Sequence, residues 1–242
     1  MDAQNTDRSL ADFDYVSFDV VGTLIDFEGA ITSALGAIAA RSGVRFDAER
    51  ALDIYRAARA EEGAGLFPDD LARCYGRIAA ATGLPDTPSD RQALVDAAAE
   101  AVPFPDSVAA LARLKRNARL IALTNARRWA FDKYAEKLGQ PFWASLTTDD
   151  TGTEKPDPAF FERAFQLLRA EGADRQNLLH AAQSQYHDIG VARDLGLTSA
   201  WIQRRHGQDG YGGSIAPQAF TEPDHHFLSL RDLADAVEAA AA

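Results

Sequence analysis

Residues 15–23 read YVSFDVVGT, and this stretch decides the fold of the chain. Its first four residues are typical of a short buried strand, and we predict that the first strand extends over 15–21. A carboxylate, Asp19, follows them directly, and a Gly22-Thr23 turn comes next. In an open α/β sheet, ligands bind at the carboxyl ends of the strands. We therefore predict that Asp19 lies at such an edge, where a carboxylate can act as a nucleophile and form a covalent ester.

Further along the chain, apolar runs typical of buried strands alternate with helical segments. The apolar runs lie at 120–123, 178–182 and 199–202. The helical segments lie near 128–138, 158–171 and 188–195. Continuous apolar strands separated by helices indicate a parallel sheet covered on both faces. We therefore predict an α/β protein with a doubly wound parallel sheet.

A long helical block interrupts this alternation immediately after the first strand. Residues 28–102 are rich in alanine and have almost no strand pattern. Apolar residues recur there at helical spacing, as Ile31 and Leu35 do. We therefore predict a helical cap domain at 28–102, inserted into an α/β core domain formed by 1–27 and 103–242.

Composition narrows the classes of function. The formal net charge of the 242-residue chain is −11, which disfavours nucleic acid and anionic membranes as partners. No apolar stretch approaches membrane-spanning length, and the polar start at 1–14 does not resemble a secretory signal. The single cysteine, Cys74, suits a reducing compartment. We expect a cytoplasmic protein with a small-molecule substrate and without nucleic-acid or membrane partners.

Three more polar segments belong to the same predicted edge of the sheet. Residues 123–125 read LTN, 154–158 read EKPDP and 182–188 read AQSQYHD. The first and third follow predicted strands, and the second leads into a predicted helix. Because the carboxyl ends of parallel strands meet at one edge, we expect all three segments to lie near Asp19.

These four segments, in this order and with a helical insertion after the first, resemble the motifs of the haloacid dehalogenase (HAD) superfamily. The likeness covers most of the chain and implies a Rossmann-like core with a cap. Most HAD proteins are magnesium-dependent phosphatases with a second aspartate two residues after the nucleophile, where this chain has Val21. Valine can neither support a metal nor protonate a leaving group. The chain resembles instead the type II 2-haloacid dehalogenase branch, in which a halide leaves from carbon.

The fourth segment also bears on metal binding. A magnesium-dependent HAD protein would have two acidic residues there, whereas this chain has Gln183 and Gln185, with Asp188 as its carboxylate. Magnesium prefers oxygen ligands that usually include carboxylates. Since Val21 is also neutral, two expected carboxylates are missing. We predict no metal and no other cofactor.

The resemblance implies a catalytic role for four residues. Asp19 would be the nucleophile, and Lys155 would keep it ionised, because a nearby cation favours a charged carboxylate. Asp188 would orient or deprotonate the water that cleaves the ester. A cap arginine would receive the halide; Arg56 is our choice, and Arg59 is its rival.

The resemblance also implies contacts with a small anionic carboxylate substrate. The predicted binding residues are Thr23, Thr124, Asn125, Phe161, Gln185 and His187. Thr124 and Asn125 would donate hydrogen bonds to the substrate or the nucleophile, and Thr23 would fix the second oxygen of Asp19. A homodimer is common among the proteins that the chain resembles, so self-association is left open.

Several residues depart from the dehalogenase pattern. Such enzymes carry Ser, Asn and Tyr where this chain has Gln183, Gln185 and Phe161, and His187 precedes the fourth-segment carboxylate. A related HAD branch opens the ring of azetidine-2-carboxylate, where the leaving group is an amine and a protonating residue would help. The favoured function is hydrolysis of a short 2-haloalkanoic acid through an aspartyl ester, with ring opening as the alternative. A phosphatase and a silent binding protein are less favoured.

Overall fold

The computed structural model describes residues 8–242, and these form a six-stranded sheet in which all paired strands are parallel. The strands are β1 (Tyr15–Phe18), β2 (Arg119–Leu123), β3 (Ala144–Leu146), β4 (Leu178–Ala182), β5 (Thr198–Ile202) and β6 (His225–Phe227). Their order is β3-β2-β1-β4-β5-β6. Strands β2 and β3 lie on one side of β1, and β4, β5 and β6 lie on the other. The strand order therefore reverses at β1, and ligands bind in such sheets at the carboxyl end of this switch point. The predicted fold class is confirmed.

Helices cover the sheet and fill the segment after β1. They are α1 (Phe27–Ser42), α2 (Ala48–Arg59), α3 (Leu71–Thr82), α4 (Pro88–Ala99), α5 (Ser107–Leu114), α6 (Arg128–Lys137), α7 (Thr148–Thr151), α8 (Pro158–Ala170), α9 (Gly190–Asp194) and α10 (Leu230–Ala240). Helices α1 to α4 follow one another and pack together, α1 on α4 and α2 on α3. We propose that they form the predicted cap.

The sheet differs from the predicted one in its short elements. Strand β1 ends at Phe18, and the chain then turns, so that Val21 pairs with Ile25 in an isolated bridge. Strands β3 and β6 have three residues each and were not predicted, because so short a segment shows no periodicity. The helix predicted at 188–195 begins earlier, as a π-helical turn over Gln185–Ile189 that continues into α9.

A helix that crosses a bilayer must be both long and apolar. None of the helices of residues 8–242 is long enough and apolar enough to do so.

Candidate active site

The turn after β1 presents Asp19 at the carboxyl edge of the sheet. Its backbone N–H donates to the carbonyl of Ala181 in β4 over 3.1 Å, which extends the pairing by one residue. Gly22 follows with φ of +90°, a conformation that side-chain-bearing residues rarely adopt. A Cβ at that position would also lie 3.3 Å from the ring of Phe27. The glycine therefore allows the chain to reverse and bring Thr23 back to Asp19.

Both carboxylate oxygens of Asp19 are held by neighbours. The hydroxyl of Thr23 donates to Oδ2 over 2.6 Å and itself accepts from the backbone N–H of Gln183 over 2.9 Å. The ammonium of Lys155 donates to Oδ1 over 2.9 Å. The structure therefore places two predicted site residues, Thr23 and Lys155, directly against the predicted nucleophile.

All three hydrogens of the Lys155 ammonium are engaged. Besides Asp19, Nζ donates to Oδ1 of Asp188 over 2.6 Å and to the carbonyl of Leu123 over 2.8 Å. The side chain is 1% exposed. Burial disfavours the charged form, but the two carboxylates outweigh it and raise the pKa of Lys155. This cation therefore serves the two aspartates and has no hydrogen left for a substrate.

Asp188 is buried and ionised. Burial alone would raise its pKa, but Lys155 and His180 hold the pKa at about 2. Nε2 of His180 lies 3.1 Å from Oδ1 of Asp188, and Nδ1 of the same ring lies 2.8 Å from the hydroxyl of Ser17. The other oxygen of Asp188, Oδ2, has no hydrogen-bond partner within residues 8–242. It is available to accept a hydrogen bond from a water or a substrate.

Asp19 has the electrostatics of a poorly solvated carboxylate. Burial raises its pKa, Lys155 opposes the rise and Asp188 adds to it. The hydrogen bond from Thr23 also lowers the pKa, but the balance remains above the ordinary value. A perturbed carboxylate at the edge of a cleft is a candidate functional group.

A cavity of about 440 Å³ opens beside these residues. Its aromatic lining consists of Phe27, Tyr55, Phe67 and Tyr186. Its charged lining consists of Asp19, Arg59, Glu154, Lys155, Asp157 and Asp188. An apolar wall with a few converging charged groups is typical of a site for a small molecule.

Arg59, the rival of our predicted arginine, is the one that lines the cavity. Its Nη1 donates to the carbonyl of Gly65 over 2.6 Å and to Oδ2 of Asp70 over 2.7 Å. Arg56 donates instead to the carbonyl of Gly212, in the loop before β6, and pairs with a carboxylate one turn earlier in α2. The cavity that Asp19 borders is therefore lined by Arg59 and not by Arg56.

The two predicted residues after β2 have different surroundings. Asn125 lines the cavity, but its amide is bound twice to the backbone of Lys155: Nδ2 donates to the carbonyl and Oδ1 accepts from the N–H, both over 2.8 Å. Thr124 is buried outside the cavity lining, and its hydroxyl accepts from the N–H of Ala126 over 3.2 Å. Asn125 therefore positions the lysine, and Thr124 stabilises the turn.

Phe161 also lies outside the cavity lining. It is fully buried, and its ring meets that of His180 edge to face with centroids 5.3 Å apart. Its contact with the site is indirect, because His180 is the residue that touches Asp188.

The two glutamines of the fourth segment hold the loop before β6. Oε1 of Gln185 accepts from the backbone N–H of Thr221 over 3.0 Å, and Oε1 of Gln183 accepts from the hydroxyl of Ser214 over 2.8 Å. Gln185 does not line the main cavity, whereas Ser214 does. Gln185 therefore acts on the site through the loop that it anchors.

His187 lines the cavity, as predicted for a substrate-binding residue. Its Nδ1 lies 3.1 Å from the hydroxyl of Ser184. Burial lowers the pKa of His187 to about 4, so the ring is neutral at pH 7. The neutral ring can take part in a hydrogen bond but is not a ready source of a proton.

Two residues of the site were not predicted. His180 is a buried imidazole in an otherwise apolar strand, and the strand register pairs it with Ser17. A polar residue in an apolar run was the one feature of the sequence that could have indicated its role. Glu154 directly precedes Lys155 in the sequence and lines the cavity beside Arg59, with Nη2 of the arginine 3.6 Å from its Oε1. Nothing in the sequence alone brings these two charges together.

The residues of the site do not fit the magnesium ion typical of HAD phosphatases. The ammonium of Lys155 bridges Asp19 and Asp188, where a cation would otherwise have to lie, and Val21 contributes an apolar wall. Within residues 8–242, no group of three His, Cys, Asp or Glu side chains is arranged to hold a metal ion.

A parallel α/β sheet with a buried aspartate, lysine and second aspartate at its switch point defines a hydrolase of the HAD type. A family model for haloacid dehalogenase-like hydrolases matches residues 13–179, so the chain belongs to that family. This confirms the resemblance drawn from the sequence. Comparison with curated protein sequences gives no match.

Solved structures of dehalogenases share the whole architecture. The L-2-haloacid dehalogenase PA0810 has a TM-score of 0.73 and 26% identity, covering 94% of this chain and 99% of that one. The defluorinating L-2-haloacid dehalogenase Rha0230 has a TM-score of 0.73 and 26% identity, covering 96% and 98%. The L-2-haloacid dehalogenase from Xanthobacter autotrophicus with chloropropionic acid covalently bound has a TM-score of 0.72, with 93% and 98% covered. At 21% identity, that likeness supports the fold alone.

Proposed function

We propose that the chain is a metal-independent hydrolase in which Asp19 attacks a carbon atom of a small carboxylate substrate. The observation that carries this proposal is the placement of Asp19, which is held at both oxygens and borders a cavity of about 440 Å³. The first candidate substrate is a short 2-haloalkanoic acid, converted to the 2-hydroxy acid. Two similar structures at 26% identity, PA0810 and Rha0230, are L-2-haloacid dehalogenases.

In the first step, a carboxylate oxygen of Asp19 forms a bond to C2 of the substrate while the carbon–halogen bond breaks. The halide leaves with the bonding electrons and needs no proton. The product of this step is an aspartyl ester, a type of intermediate that divides one difficult reaction into two easier ones. Val21, which cannot donate a proton, is compatible with such a leaving group.

In the second step, water attacks the carbonyl carbon of the ester. Oδ2 of Asp188, buried and without a partner in the described chain, can accept a hydrogen bond from this water. The ester C–O bond on the Asp19 side breaks, the 2-hydroxy acid leaves, and one proton is released. Because Lys155 and His180 hold the pKa of Asp188 well below its usual range, this carboxylate orients the water and does not retain the proton.

The covalent step can be tested with oxygen-18 water and chloroacetate. In a single turnover, the label should enter Asp19, which mass spectrometry of the peptide containing it would detect. The assay should include EDTA, so that any release of chloride is independent of metal. Asp19→Asn should abolish chloride release, whereas Asp132→Asn, at a residue exposed on α6, should not. Label found directly in glycolate, with Asp19 unlabelled, would contradict the proposal.

A second candidate is supported by Glu154. The carboxylate of this residue lines the cavity, where an amine-bearing substrate would find a counter-charge. Ring opening of azetidine-2-carboxylate uses the same nucleophile, and the protonated ring nitrogen leaves as an amine when its bond to carbon breaks. Because that nitrogen already carries its protons, the neutral His187 is no obstacle. Formation of a ring-opened amino hydroxy acid from azetidine-2-carboxylate, without added halide or metal, is the measurement that checks this candidate.

A further inference from the structure

Two basic side chains, Lys155 and Arg59, are among the described residues that line the cavity. Only Arg59 has hydrogen-bond donors that are free to bind a substrate. Lys155 gives its three hydrogens to Asp19, Asp188 and a carbonyl. Arg59 uses Nη1 for Gly65 and Asp70, as described above. The other terminal nitrogen of Arg59, Nη2, has no hydrogen bond at normal distance to a described residue, since its nearest carboxylate oxygen is 3.6 Å away.

That carboxylate oxygen, Oε1 of Glu154, is likewise unsatisfied. It is buried and has no hydrogen-bond partner among residues 8–242. Of the other carboxylates that line the cavity, Asp19 accepts from Lys155 and Thr23, and Asp157 accepts from the N–H of Ala159 and from a threonine hydroxyl. Asp188 shares Lys155 with Asp19, and its unpartnered oxygen, Oδ2, is the one assigned above to the hydrolytic water. A buried acceptor without a partner is costly, so Glu154 is poised to accept from a ligand.

We propose that Arg59 and Glu154 together select a small substrate that carries both a carboxylate and an ammonium group. The substrate carboxylate would accept from Nη2 of Arg59, and its N–H group would donate to Oε1 of Glu154. This inference rests on the proposed function, because the selected molecule is the one that Asp19 attacks. Of the two candidate substrates proposed above, it favours the class of the second, a small zwitterion such as a cyclic amino acid.

A plain anion fits this pair of charges poorly. Its carboxylate could reach Arg59 only beside Glu154, where the two like charges would repel each other and Oε1 would stay unpartnered. Glu154 is also not required to hold the arginine in place, because Asp70 already binds it at 2.7 Å. A purely structural role for Glu154 therefore leaves its buried oxygen unexplained.

The proposal can be tested by binding, without any chemistry. The probes are proline and cyclopentanecarboxylate, which have the same ring size and carboxylate and differ in the ring ammonium. Isothermal titration of the full chain should give at least about tenfold tighter binding of one proline enantiomer than of cyclopentanecarboxylate. Glu154→Gln should remove this preference, whereas Glu62→Gln, at an exposed residue, should keep it.

Three results would overturn the proposal: equal or tighter binding of cyclopentanecarboxylate, no binding of either probe, or an unchanged preference in Glu154→Gln. The comparison of the two probes on the unmodified protein is decisive even if the variant fails to fold. Failure of this proposal is distinguishable from failure of the proposed function. The first appears as lost discrimination in binding. The second appears as the absence of oxygen-18 in Asp19 after single turnovers of both chloroacetate and azetidine-2-carboxylate.

Discussion

Nζ of Lys155 donates to Oδ1 of Asp19 over 2.9 Å, in a place where the lysine side chain is 1% exposed and the aspartate 10%. Little water screens this pair, so the cation strongly favours the ionised, nucleophilic carboxylate. Truncation of the lysine would leave two buried carboxylates, Asp19 and Asp188, without their shared counter-charge. Breaking a buried pair in this way is strongly destabilising.

We therefore expect Lys155→Met to lower the free energy of unfolding by about 3–5 kcal/mol and to abolish turnover. Urea unfolding and a single-turnover assay would measure the two effects. Lys115→Met, at an exposed lysine after α5, is the matched control and should change stability by less than about 0.5 kcal/mol. A stable and active Lys155→Met variant would show that the ammonium is dispensable.

The decrease of kcat/KM at low pH should reflect the protonation of Asp19. The nucleophile must be ionised, and burial raises its pKa, so protonation should stop the reaction at a higher pH than the ordinary value of 3.8 would suggest. The value of kcat/KM should fall as pH decreases through this raised pKa and be constant above it. A pH profile of kcat/KM would test this. An acid limb at or below pH 3.8 would contradict the raised pKa.

The two arginines of α2, Arg56 and Arg59, should differ in their effect on substrate binding. Arg59→Met should raise KM by about 100-fold, because it removes a charge-assisted hydrogen bond to the substrate carboxylate. Asp70 would retain Arg73, which binds it at 2.7 Å, so the fold should persist. Arg56→Met, directed at the loop carbonyl of Gly212, should change KM less than threefold, by about 0.6 kcal/mol or less. Equal effects of the two substitutions would refute this assignment.

Phe161 should matter for stability and little for substrate binding. The ring is fully buried outside the cavity lining, so Phe161→Ala should lower the free energy of unfolding by about 3–5 kcal/mol. At a temperature where the variant is folded, KM should stay close to that of the unmodified protein. Val108→Ala, at a residue that is 44% exposed, is the control for stability. A large change in KM with unchanged stability would instead support the predicted role of Phe161 in substrate binding.

Much of the site could be predicted because chain order and strand polarity determine it. Parallel strands end at one edge, so Asp19 and Asp188, which follow β1 and β4, had to converge once those strands had been assigned. Lys155 follows α7 instead of a predicted strand, and its place beside them was implied by the resemblance to the HAD motifs. The short strands β3 and β6 escaped prediction because three residues carry no measurable period.

The other differences between the predicted and the observed site concern where a side chain points, and not where its residue lies in the fold. Arg56 and Arg59 are three residues apart in α2 and therefore lie on nearby parts of one helix face. Tertiary packing decides which of them reaches the cavity. In the same way, Gln185 lies at the expected edge of the sheet, but its side chain points to the loop at Thr221, a contact 36 residues away in sequence. Periodicity contains no information about such a distant partner.

The hydroxyl of Thr23 accepts from the backbone of Gln183 and donates to Oδ2 of Asp19, while Lys155 holds Oδ1. The plane of the nucleophilic carboxylate is thereby fixed relative to the cavity, and so is the line along which it can approach a carbon atom. Displacement requires that line to be opposite the departing group, so only one hand of a chiral substrate can present the correct face while its carboxylate is bound. We expect the enzyme to consume one enantiomer of a racemic mixture, to leave the other behind, and to release a product of inverted configuration.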